Sequence, residues 1–291
     1  MDNAKGLLDR IQPKITVVGD LATVTTVIEA KKQNFVSNYF SKSNLLDFDK
    51  SNVQINYTIY LPLNVSLNIT NRFGDVILEN FNGRLMTDVQ HGDMWINQNL
   101  TNATVNMKYG KLKTKSISFG NITLKNAELD LKNSQNLVLN SSGSDLSLEK
   151  VSVLEIASNK DKIAVSNVGE IRGDLSFSEM KLDTLDNEIN VTMKVTDFKV
   201  SKINKLEAFV FINQESSTIN INITGLSFMF KANLEQGVLR IPKTFQNIKS
   251  FMIDKEKKLR EISASYGVSR LGKVSISGKK GDIVLIDNAI E

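Results

Sequence analysis

The sequence predicts an all-β fold, a β-solenoid of the single-stranded β-helix kind with ~17–20 residues per rung. Three observations predict it. The first is an apolar pair spaced as Φ-x-Φ. It recurs as Val76/Leu78, Met94/Ile96, Leu112/Thr114, Leu129/Leu131, Leu146/Leu148, Ile163/Val165, Met180/Leu182, Phe198/Val200, Ile219/Ile221 and Leu239/Ile241. Successive pairs stand 18, 18, 17, 17, 17, 17, 18, 21 and 20 residues apart. A period of this size marks stacked units, none of which can bury its apolar side alone. The second is a turn signal, Phe73-Gly74-Asp75, His91-Gly92-Asp93 and Tyr109-Gly110-Lys111, whose glycines each lie two residues ahead of a pair. The third is a second apolar segment within each period, as in Leu85/Thr87/Val89, Ala103/Val105/Met107, Phe209/Phe211 and Phe228/Phe230.

Three regions follow: 1–62, an N-terminal helix and strands; 63–242, the solenoid repeats; and 243–291, C-terminal strands and a cap. Residues 1–12 read as a short helix, with Leu7, Leu8 and Ile11 on one face and Pro13 as its stop. Residues 15–28 are rich in Val and Thr, with a turn at Gly19-Asp20. Residues 31–51 read as a loop. Residues 53–61 alternate strictly, so the pattern predicts a strand with one buried face, ended by Pro62. Within the repeat, glycine at the turn is expected to supply positive φ. Later rungs carry Ser144, Asp161, Ser178 or Thr196 there, which predicts a changed turn. Residues 255–261 form a charged stretch read as a helix or long loop. Val274/Ile276 and residues 281–285 then resume the earlier style. An antiparallel meander fits the strand spacing less well. Hairpins favour Asn-Gly or Asp-Gly, and Asn82-Gly83 is the sole such dipeptide.

Composition narrows the function. Net charge is +4, from 36 Lys+Arg against 32 Asp+Glu. The two signs are interspersed, so no nucleic-acid partner is expected. There is no cysteine, which excludes disulfides and thiolate chemistry. No apolar run approaches the ~18 residues of a transmembrane segment. No phosphate-binding loop, dinucleotide fingerprint or nucleophile elbow occurs.

With these residues in view, the chain resembles the adhesin-like, domain-of-unknown-function proteins common in Bacteroidetes. The resemblance rests on the segments at residues 4–13, 55–62 and 71–76 and on Tyr109-Gly110, and it runs from about residue 4 to 285. It implies a stacked β architecture and an extracytoplasmic place in the periplasm, outer membrane or cell surface. It also implies a secretion signal, and this chain begins inside the family pattern with its leader absent. It supplies no catalytic residues.

Candidate site residues are few. His91 is the sole histidine and shares its slot with Phe73 and Tyr109, one period to either side. The three rings predict a column that fixes register or offers sugars a platform. Trp95 follows Met94 and should point outward, as a carbohydrate or protein anchor does. Asp75 and Asp93 on neighbouring rungs suggest a weak Ca²⁺ site, interrupted by Lys111; no metal or cofactor is expected. The function expected is a non-enzymatic, adhesin-like surface protein with a glycan or surface-protein partner. The alternatives are a polysaccharide-acting β-helix enzyme, using Asp75, Asp93, Lys108 and Lys111, and a purely structural envelope module.

Overall fold

Thr, Val and Ile crowd residues 15–28, and such β-branched chains suit the pleated surface of a strand. The computed structural model describes residues 11–28, 55–62 and 65–288. The chain divides into two compact units, Met1–Ile59 and Tyr60–Glu291. In the first, β1 (Ile11–Val18) and β2 (Leu21–Ile28) form an antiparallel hairpin, in register from Ile11↔Ile28 to Val18↔Leu21. The expected Gly19-Asp20 turn closes it, with Gly19 at φ 58°.

The helix expected over residues 1–12 is corrected. Ile11, Gln12 and Pro13 belong to β1, and residues 1–10 lie outside the described residues. Pro13 is tolerated because each strand of a two-stranded hairpin keeps a free edge, where a missing N–H costs no ladder bond. The strand expected over residues 53–61 is corrected too. Residues 55–62 form no strand and are all exposed. Alternation supplies a face but not a partner, and no strand pairs with them among the described residues. The Tyr57 hydroxyl instead accepts a hydrogen bond from Thr26 Oγ1 at 2.8 Å. The loop read at 31–51 lies outside the described residues.

The second unit is the solenoid. β3 (Ser66–Arg72) and β4 (Val76–Leu78) make its first turn, and β5 (Arg84–Gln90) opens the next. Six long strands follow: β6 (Met94–Lys108), β7 (Lys111–Lys125), β8 (Glu128–Ser142), β9 (Asp145–Asn159), β10 (Lys162–Ser176) and β11 (Glu179–Lys194). Each begins as the second face of one turn and bends into the first face of the next. With β12 (Asp197–Val200), β13 (Phe209–Glu215) and β14 (Thr218–Asn222) they complete about nine turns. Every ladder from β3 to β14 is parallel, which rules out the meander. The register holds the sequence period, as in Met94↔Leu112, Leu112↔Leu129 and Leu129↔Leu146. There is no helix among the described residues.

Alternate side chains of both faces turn inward and are buried, among them Leu112, Ile122, Leu139, Leu154, Leu182 and Ile219. One inward assignment is corrected. Val210 and Ile212 face the core, while Phe209 and Phe211 face outward. An unbroken apolar run carries no parity signal, so the neighbouring rung decides through Ile189↔Val210 and Val191↔Ile212. Lys205 and Lys273 lie over the two outward rings, 5.5 and 5.6 Å from their centroids.

The turn differs from expectation in an instructive way. Phe73, His91 and Tyr109 carry the positive φ, at 59°, 55° and 55°, rather than the glycines after them. The same slot stays left-handed at Asn126, Gly143, Lys160, Phe177, Val195 and Ser216, so the backbone turn is shared throughout. The glycines answer to a different constraint. A Cβ on Gly92 would lie 1.8 Å from the carbonyl oxygen of Gly74, and one on Gly110 would lie 2.1 Å from that of Gly92. Further along, the corresponding slot holds a buried polar ladder. Asp161, 2% exposed, accepts hydrogen bonds from Ser144 N (2.7 Å), Ser141 Oγ (2.6 Å), Ser158 Oγ (2.6 Å) and Asn159 N (3.1 Å). These bonds satisfy a carboxylate that would otherwise be costly to bury.

The far end breaks sequence order. β15 (Phe228–Glu235) and β16 (Val238–Arg240) do not stack directly on β13 and β14. The rung between them is β19 (Gly272–Lys279) with β20 (Asp282–Ile286), parallel to both neighbours. Hence Leu239 pairs with Ile283, and Ile283 with Ile219. β17 (Gln246–Asp254) and β18 (Leu259–Tyr266) add an antiparallel hairpin beyond β15. The stretch read as a helix or long loop is the turn of this hairpin and the start of β18. Phe228, Phe230, Phe245 and Tyr266 pack ring against ring beneath it, with centroids 5.2–6.0 Å apart. They plug an end that would otherwise expose the apolar interior.

Candidate functional site

Three aromatic side chains, Phe73, His91 and Tyr109, stand exposed on successive first turns. The left-handed slot points Phe73, His91 and Tyr109 away from the core, while their N–H groups donate to the next rung. Those bonds are Phe73 N to Gln90 O at 2.9 Å, His91 N to Lys108 O at 3.0 Å and Tyr109 N to Lys125 O at 3.2 Å. The predicted column forms. Phe73 and His91 stack with centroids 5.0 Å apart and planes 6° apart, and His91 and Tyr109 at 4.8 Å and 8°. The rungs impose this spacing, because parallel strands repeat at about 4.8 Å. Phe73 is 67% exposed and Tyr109 47%.

Stacking has a chemical consequence. Both faces of His91 are covered by its neighbours, so the column offers solvent mainly ring edges. Among the described residues no ring stacks on the outer face of Phe73. Trp95 points outward, as expected, between buried Met94 and Ile96, and is half-buried. Its ladder neighbours are Ile77 and Lys113. Ile77, 64% exposed, was missed as a site residue by the sequence reading. Its place one period before Trp95 was the available signal.

Asp75 and Asp93 are drawn into backbone work. Asp75 Oδ1 accepts from Asp93 N at 2.9 Å, and Asp93 Oδ1 accepts from Lys111 N at 2.8 Å. Among the described residues no group of three or more His, Asp or Glu side chains is placed to hold a metal ion. Beyond them a shallow groove runs past Lys111, Glu128, Asp145, Lys162 and Glu179. Charge alternates loosely along it, and Lys111 pairs with Glu128 at 3.1 Å. On the other face Arg72 grips Asp88 with two hydrogen bonds, at 2.9 and 3.3 Å. That grip, with the guanidinium charge, holds the Asp88 carboxyl below its usual range.

The fold and its corner columns define a class: a two-faced parallel β-solenoid with a hairpin cap. Residues 22–285 match the Toastrack DUF4097 family, a domain family of unknown function, and the chain belongs to it. No curated protein and no solved structure matches the chain. No helix among the described residues is long and apolar enough to cross a membrane.

Proposed function

We propose that this protein is a non-enzymatic, extracytoplasmic, adhesin-like module that binds glycans through the outer surface of its first turns. The observation that carries the reading is the grouping of exposed rings there. Phe73 offers one face on which no ring stacks among the described residues, Trp95 and Ile77 form an apolar patch on the outer face of the same turns, and Tyr109 adds a hydroxyl. Sugars suit such a surface, because their C–H faces pack on rings while their hydroxyls take polar neighbours. The extracytoplasmic location rests on the resemblance to adhesin-like proteins. A second reading, a structural envelope module, is favoured by the column itself. Rings that cover one another's faces fix register and leave less area for a ligand.

A glycan array screened with the purified chain, with and without Ca²⁺, tests the proposal. Binding is expected for the parent chain and lost in Trp95→Ala and Phe73→Ala. No binding across the array, or binding untouched by both substitutions, overturns it and leaves the structural module.

A further inference from the structure

We propose that the β17–β18 hairpin docks the capped end of the solenoid on an anionic lipid surface. Among the described residues β17 is the last strand of the stack and pairs only with β18. An edge of this kind is normally short, charged or covered. Here Ile248, Phe251, Met252 and Ile253 are all exposed, Phe251 by 61% and Ile253 by 57%. Strand alternation divides them between two faces, Met252 on one and Phe251 and Ile253 on the other. A protein partner lying against one face would leave the other wet. A lipid interface surrounds the strand and covers both.

Charge selects the lipid. Residues 243–260 hold six Lys/Arg (Lys243, Lys249, Lys255, Lys257, Lys258 and Arg260) against Asp254 and Glu256. That net +4 equals the formal charge of the whole chain. Lys249, Lys255, Lys257 and Lys258 are exposed, and none is in an ion pair among the described residues. Lys280 shares the left-handed corner slot with Lys258, two levels away across Gln236. Two such hairpins would repel, which argues against a second copy as the occupant. Basic groups beside exposed apolar side chains are the elements of interfacial binding to anionic bilayers.

The test is co-sedimentation of the full chain with vesicles of phosphatidylcholine, alone or mixed with phosphatidylglycerol. Binding is expected with the mixed vesicles only, weakening as salt rises. Lys255→Glu, Lys257→Glu and Lys258→Glu together are expected to lower the partition more than about tenfold. Phe251→Ser with Ile253→Ser is expected to do the same, whereas a nucleic acid or acidic peptide would need only the lysines. Full binding by that apolar variant therefore overturns the proposal. So does an equal loss in a control carrying Lys115→Glu, Lys132→Glu and Lys150→Glu, all exposed away from the hairpin. Failure to sediment with the mixed vesicles, or a dimer abolished by the hairpin variants, also overturns it.

Discussion

Thr114 fills a slot that Ile96 fills on one neighbouring rung and Leu131 on the other. It is 2% exposed and its hydroxyl has no partner among the described residues. An orphan hydroxyl in an apolar column costs free energy that an isosteric methyl does not. Thr114→Val is therefore expected to raise stability by about 1 kcal/mol, read from the denaturant midpoint. Gly92 tells the opposite story. A Cβ there meets backbone, which cannot swing aside as a side chain can. Gly92→Ala is expected to cost about 3 kcal/mol and to disturb the ring stack, visible in the near-ultraviolet circular dichroism of Tyr109. The glycine was legible in the sequence and its cause was not. Composition shows that a residue must be small. It does not show whether φ or a neighbouring rung demands it.

At the scale of elements, the repeat was readable because each period restates the same inward parity. Leu129, Leu146 and Ile163 are single hydrophobes at one spacing, and their ladder follows it. The failures fall where parity or partner was missing. Phe209 and Phe211 sat in a run with no alternation, and residues 53–61 alternated without an edge to join. Pro13 looked like a helix stop because proline is also compatible with an edge strand. The cap was foreseen only as a region. Its plug depends on Tyr266, which is buried and donates to Asp287. Burial first, and then that carboxylate, push the phenol well above its ordinary value. The unfolded tyrosine titrates near pH ~10. The folded state keeps its proton to higher pH, so the stabilisation is complete below pH ~10 and lost as pH rises towards the folded value. Denaturant midpoints measured across this alkaline range are expected to fall, and Tyr266→Phe to flatten that part of the decline.

For the solenoid unit, stability is shared among near-identical contacts between successive rungs rather than concentrated in one centre. That arrangement tolerates the left-handed strain repeated at one corner of each turn, since each residue in that slot from Phe73 to Ser216 is held by a backbone bond to the next rung. It also places the two proposed surfaces at opposite ends of the stack, the rings on the first turns and the basic hairpin on the last. The ring site was legible as a period, since Phe73, His91 and Tyr109 share one slot. The hairpin surface was not, because its lysines and hydrophobes gain meaning only once β17 is known to be the final edge.

β19 and β20 also bear on how the molecule is made. A ribosome delivers β13 to β16 well before it delivers residues 272–286, yet these must end up between them. The sequence step from Ile219 to Leu239, 20 residues, matches an ordinary adjacent rung. A nascent chain can therefore close β16 directly onto β14 and bury the interior early. The last rungs of the stack therefore cannot all be completed in the order they are translated, because the coil that joins two of them arrives after both.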